Sequence, residues 1–193
     1  MSLDPLSKFK PRKVSDLERV AYHEAGHAYT YRYLNKRFID VTIIPNGDTL
    51  GCVRGDLRSK VTSKDFEDPK KFYKVINKLV IGYAGNISDA LFSGQIDDAG
   101  FRSDMQKIAD LVTKYFPDKE ERSAFQDWIW LNTFNMLRLE TNWYYIDAIA
   151  KELLKRKRLT EDEVFDIIAD SSRNMGSIDE LNKPPGLIQI KEN

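Results

Sequence analysis

The chain's only two histidines lie four residues apart, in His23-Glu24-Ala25-Gly26-His27. Residues i and i+4 of a helix project from one face, so both imidazoles can direct a nitrogen at a single ion. Glu24 is turned about 100° from His23 around the helix axis. It therefore flanks the ion without occupying it, and can serve as general base toward a water in an open coordination position. This H-E-x-x-H pattern builds catalytic zinc sites, in which the metal lowers the pKa of water to about 7. Two imidazoles and a carboxylate would also suit iron or manganese. Gly26 costs a helix about 1 kcal/mol relative to alanine, which points to another backbone passing close by. A catalytic zinc takes three protein ligands. With no further histidine, the third is an aspartate, a glutamate or Cys52, the single cysteine.

These groups need a helix to carry them. Ser15 and Glu18 form a capping box, Pro11 lies upstream, and Leu17, Val20, Ala21, Ala28, Tyr31 and Leu34 recur at helical spacing, predicting a helix over about 16–36. A β-hairpin follows, with strands Val41–Pro45 and Thr49–Val53 about a turn at Asn46-Gly47-Asp48. Further helices are expected at 69–92, 103–116, 119–139, 141–157 and 160–170, the first apolar enough to be central. Trp128, Trp130, Phe134, Trp143, Tyr144 and Tyr145 concentrate aromatic area on two of them, as core or as an oligomer contact. The architecture expected is mostly α with a small β-hairpin or sheet (α+β). Its parts are a 1–14 leading segment, a 15–170 domain and an irregular 171–193 tail containing Pro184-Pro185-Gly186.

The run VAYHEAGHA followed by VTIIPNGDTLGCV resembles the protease domain of the FtsH family, the AAA zinc metalloproteases. Ile81–Gly94 is similar to the family's GGRAAEELIFG helix, and Ser103-Asp104-Met105-Gln106-Lys107-Ile108-Ala109 to the helix supplying its third ligand. Asn142–Leu154 and Leu159–Val164 resemble its closing helices. The resemblance implies a zincin-like metal helix, Zn2+ as cofactor, His23, His27 and Asp104 as its ligands, and Glu24 as the catalytic base. Ser103 and Gln106 read as a capping box that would hold Asp104 in a first helical turn. From the residues alone, Asp89, Asp97, Asp98 and Asp110 compete for the same role.

The departures matter too. GGRAAEE is replaced by Gly82-Tyr83-Ala84-Gly85-Asn86-Ile87-Ser88-Asp89, and TTGASND by Ile96–Asp104. No G-x-x-x-x-G-K-[ST] occurs, so no ATPase module is expected here, and an ATPase would act as a separate partner. The longest apolar run, Leu79–Ala84, is far short of a membrane span. Thirty basic and thirty acidic residues leave no net charge, which gives no reason to expect nucleic acid as a partner. The Lys155-Arg156-Lys157-Arg158 cluster suits a helix C-terminus. One cysteine permits no internal disulfide, and with no signal peptide visible the expected location is cytoplasmic. Cys52 is expected to be small, half-buried packing.

The activity expected is zinc-dependent endoproteolysis of unfolded or extended polypeptide. The substrate would pair along the hairpin at Thr49, Leu50, Gly51 and Cys52. A homo-oligomer is a possible state. The alternative is a non-degradative regulator or adaptor that keeps zinc and binds a peptide, a repressor or a full-length ATP-dependent protease. An intact Glu24 argues against it, since a structural site needs no base.

Overall fold

In the computed structural model, residues 11–47, 49–55, 68, 71–95, 98–113 and 115–175 are described. Six helices and three strands lie among them: α1 (Asp16–Tyr33), β1 (Phe38–Thr42), β2 (Cys52–Gly55), α2 (Phe72–Ser93), α3 (Asp98–Thr113), α4 (Lys119–Leu137), α5 (Glu140–Arg156), β3 (Arg158–Thr160) and α6 (Glu161–Asn174). The mostly helical α+β reading holds. Residue 48 of the hairpin turn, Asp97, and most of the expected tail, 176–193, lie outside the described residues.

The Ser15–Glu18 capping box forms and starts α1 where the sequence places it. The helix stops three residues short of the expected end. Asn35 turns left-handed (φ 52°), and the N–H of Lys36 returns to the carbonyl of Tyr31 at 2.8 Å. α1 lies between two antiparallel neighbours. Against α2, Arg19 grips the buried Asp89 with two hydrogen bonds of 3.0 and 2.6 Å. Against α5, Tyr22 donates to Asp147 at 2.5 Å and Tyr29 to Asn142 at 2.6 Å. The Tyr22 ring stacks on Phe92 and Trp143. α2 is the central helix: residues 83–93 are all buried.

The aromatic concentration divides. Trp143 and Phe134 are fully enclosed and Trp130 stacks on Phe134, whereas Trp128 is 53% exposed. Lys155 pairs with Glu152, Arg156 with Glu163, and the Lys157 ammonium donates to the Leu154 carbonyl, so local contacts account for these three members of the basic cluster.

The sheet is antiparallel in the order β2-β1-β3. Both hairpin strands are displaced from the expected positions. β1 ends at Thr42; beyond it the Ile43 N–H donates to the Lys157 carbonyl, and Pro45 has no N–H to offer. Asn46 and Thr49 close the tip through mutual backbone bonds of 2.9 and 3.2 Å. The third strand was not expected. It follows from Lys157, a left-handed C-cap (φ 66°) that turns α5 directly into Arg158–Thr160, and it pairs Leu159 with Val41. Three residues are too few to show alternation. Thr160 ends the strand and opens α6 with a Thr160–Glu163 capping box; α6 runs on to Asn174, past the expected boundary.

Asp40 ties the sheet together, bonded by both guanidinium arms of Arg54 on β2 and lying 3.9 Å from Arg158 on β3. The hydrogen bonds from Arg54 hold its carboxyl below the usual range, against burial. A carboxyl depressed on folding stabilises above its unfolded pKa of about 3.9 and loses that effect as pH falls through the folded value. Asp40→Asn is therefore expected to lower the unfolding temperature near pH 7, with the gap to wild type closing below about pH 4. Thermal unfolding of both proteins from pH 7 to 3 checks this.

Candidate metal centre

His23 and His27 stand on one face of α1, as their spacing requires, with Nε2 atoms 3.1 Å apart. Oδ2 of Asp104, delivered by α3, lies 3.3 Å from the first and 3.2 Å from the second. Zinc–nitrogen bonds of about 2.0–2.1 Å in a tetrahedron separate ligand atoms by about 3.3–3.4 Å. The triangle therefore fits the face of such a polyhedron. Among the described residues, these three form the one His/Cys/Asp/Glu group that could hold a metal ion.

The electrostatics agree with a cation site. His27 Nδ1 lies 2.7 Å from the Ile81 carbonyl, which can only accept, so Nδ1 carries the proton and the Nε2 lone pair faces His23 and Asp104. Burial resists charge on His27, but the hydrogen bond and charge of Asp104 outweigh it and raise its pKa. Burial likewise favours a neutral Asp104, yet the two imidazoles hold its carboxyl far below the usual range. Three groups arranged to favour positive charge at one point suit a divalent ion as well as a proton.

Asp104 does not reach this place as the capping-box reading supposes. α3 begins at Asp98, so Ser103 and Gln106 are interior, and Asp104 occupies the second turn. Gln106 instead donates to Asp110, at 2.7 Å on the exposed side. The two aspartates Asp97-Asp98 suit an earlier helix start. What orients Asp104 is the stripe Asp104, Ile108, Val112: Ile108 and Val112 are buried, and Ile108 lies against Gly82 of α2. Of its competitors, Asp89 is held by Arg19 and Asp110 faces away.

Close approach of α1 and α2 is the other requirement. A Cβ on Gly26 would fall 2.2 Å from Ser88 Oγ and 2.6 Å from the Ala84 carbonyl, the nearby backbone that the sequence implied. A Cβ on Gly85 would fall 2.4 Å from His27 Nε2 and 2.7 Å from His23 Nε2. Gly85 was not foreseen as a site residue, though a glycine inside an apolar helix was a pointer to it.

Glu24 is buried, 5% exposed, and lies against the hairpin: a Cβ on Gly51 would be 2.9 Å from its Oε1. Cys52 is half-buried, its thiol pushed up first by burial and then by the charge of Glu24. Leu50 is exposed and Thr49 closes the tip, so only Cys52 of the four expected contacts lies within a strand.

The sequence profile of peptidase family M41 matches residues 12–117, more than half of the chain. The chain belongs to peptidase family M41. It is thus a metallopeptidase of the FtsH type. Among curated proteins none matches. The M41 match takes in α1, the hairpin, α2 and α3, the four elements around the triad, and ends before α4. Among the described residues no helix is long and apolar enough to cross a membrane.

Gly85→Ala is expected to leave the helices folded but to weaken zinc binding by at least about tenfold, since the new methyl takes the space of the ligand nitrogens. Circular dichroism together with competition against a chromogenic chelator checks both halves.

Proposed function

We propose that this M41 protein is a zinc-dependent endopeptidase that cuts extended polypeptide, with His23, His27 and Asp104 holding the ion and Glu24 acting as general base. The observation that carries the reading is the ligand triangle of 3.1–3.3 Å beside a buried glutamate that faces the hairpin. Zinc bound there would polarise the scissile carbonyl and acidify a water. Glu24 takes that water's proton and hands it to the departing amine, which needs protonation to leave. Gly51 keeps the space in front of the Glu24 carboxylate free of a side chain.

β2 is an outer strand, paired only with β1 among the described residues. Its free edge offers main-chain donors and acceptors to an extended substrate, which recognises backbone rather than sequence and favours unfolded segments. Unfolding of a folded substrate would need an ATPase outside residues 1–193. The regulator reading has less behind it, because a binding-only domain gains nothing from burying a carboxylate beside a metal.

Glu24→Gln is expected to keep one zinc per chain while cleavage of fluorescein-labelled casein falls roughly 100-fold to 10,000-fold. Metal analysis and initial rates test it; cleavage at the wild-type rate would overturn the assignment.

A further inference from the structure

Two glycines at the ends of strand β2 meet side chains of α1. Gly51, just before the strand, meets Glu24, and Gly55 at its end meets Tyr31: a Cβ on Gly55 would stand 2.4 Å from the Tyr31 hydroxyl, 3.2 Å from Cζ and 3.5 Å from Cε1. Residues 51 and 55 share one face of an extended strand and span about 13 Å. Glu24 and Tyr31, seven residues apart, share one side of the helix and span about 10 Å along its axis. Two side chains of the helix thus seat in two glycine gaps of the strand, with the half-buried Val53 between them.

Tyr31 follows His27 by one turn, on the metal-bearing side. Its ring leans on Phe38, the residue paired with Gly55 across the hairpin, at 5.7 Å. Its hydroxyl makes no hydrogen bond to any of the described residues, so it is placed by packing. Burial, and after it the charge of Asp104, push the phenol above its ordinary pKa, so it stays neutral in this position.

We infer that Tyr31 is a positioning residue: seated against Gly55, it sets the gap between the free edge of β2 and the metal centre, and with it the register of the bound substrate backbone. Glu24 fixes one end of the strand and Tyr31 the other. The inference rests on the reading of β2 as the substrate edge. Tyr31 acts through the strand, so it bears on substrate binding and leaves the ion and Glu24 in place.

The test uses the zinc-loaded 193-residue chain. Gly55→Ala forces the hydroxyl and the strand apart; it is expected to raise KM for fluorescein-labelled casein roughly tenfold with kcat within about twofold. Amide hydrogen exchange across 52–55 should quicken by a similar factor, with zinc content unchanged. Adding Tyr31→Phe removes the oxygen at 2.4 Å and leaves Cζ at 3.2 Å, a gap that a shift of a few tenths of an ångström relieves, so both KM and exchange return toward wild type. A double variant no better than Gly55→Ala, or a loss confined to kcat, would overturn the inference. Exchange reports on the strand whether or not casein is cut, and the Glu24→Gln rates report on the chemistry, so failure of the one is distinguishable from failure of the other.

Discussion

The backbone contact between α1 and α2 is the constraint on which the rest depends. Two helices normally pack with axes 8–10 Å apart, held off by their side chains. Here Gly26 admits Ser88 and the Ala84 carbonyl, and Gly85 admits the two imidazoles. The same approach lets the Ile81 carbonyl reach His27, which fixes the tautomer and the direction of the ligand lone pair. A metal helix with a bulkier residue at either position would be pushed away from the wall that orients it. Arg19 and Asp89 close one end of this pair, so the alignment of the helices is set by charge as well as by shape.

Around that contact the parts divide by kind. α1 supplies two imidazoles and Glu24, α3 the carboxylate, α2 the spacing, and the sheet a straight edge. The core lies behind α1, where Trp143, Phe134 and the aliphatic residues of α5 exclude water. Two buried tyrosine bonds to α5 hold α1 from that side, at Asp147 and Asn142. The face that carries the chemistry is thus left to the hairpin and α3, while the opposite face carries the stability.

The sequence was most legible where chemistry and helical spacing coincide. His23, Glu24 and His27 stand where the spacing puts them, and the capping boxes at Ser15 and Thr160 are local devices that depend on nothing distant. Asp104 was reached by resemblance. Its helix begins earlier than the Ser103–Gln106 reading allowed, because a capping pattern inside a helix looks the same as one at its start. β3 and the shifted hairpin were hidden for another reason: both depend on Lys157, whose carbonyl is sought by Ile43 and Thr42 more than a hundred residues away in the chain. Long-range pairing of this sort leaves no period to read.

That left-handed turn at Lys157 also bears on how the protein can be divided. The stretch matching the M41 family ends at residue 117, yet β1 receives one of its two partner strands from residues 158–160, and α1 takes two of its buried hydrogen bonds from α5. The elements around the metal centre and their support are interleaved in the chain. An excised fragment carrying every residue of the metal centre would bare one side of β1 and the face of α1 that packs on α5, so the smallest independent unit is set by the returning strand and not by the limits of the motif-bearing segment.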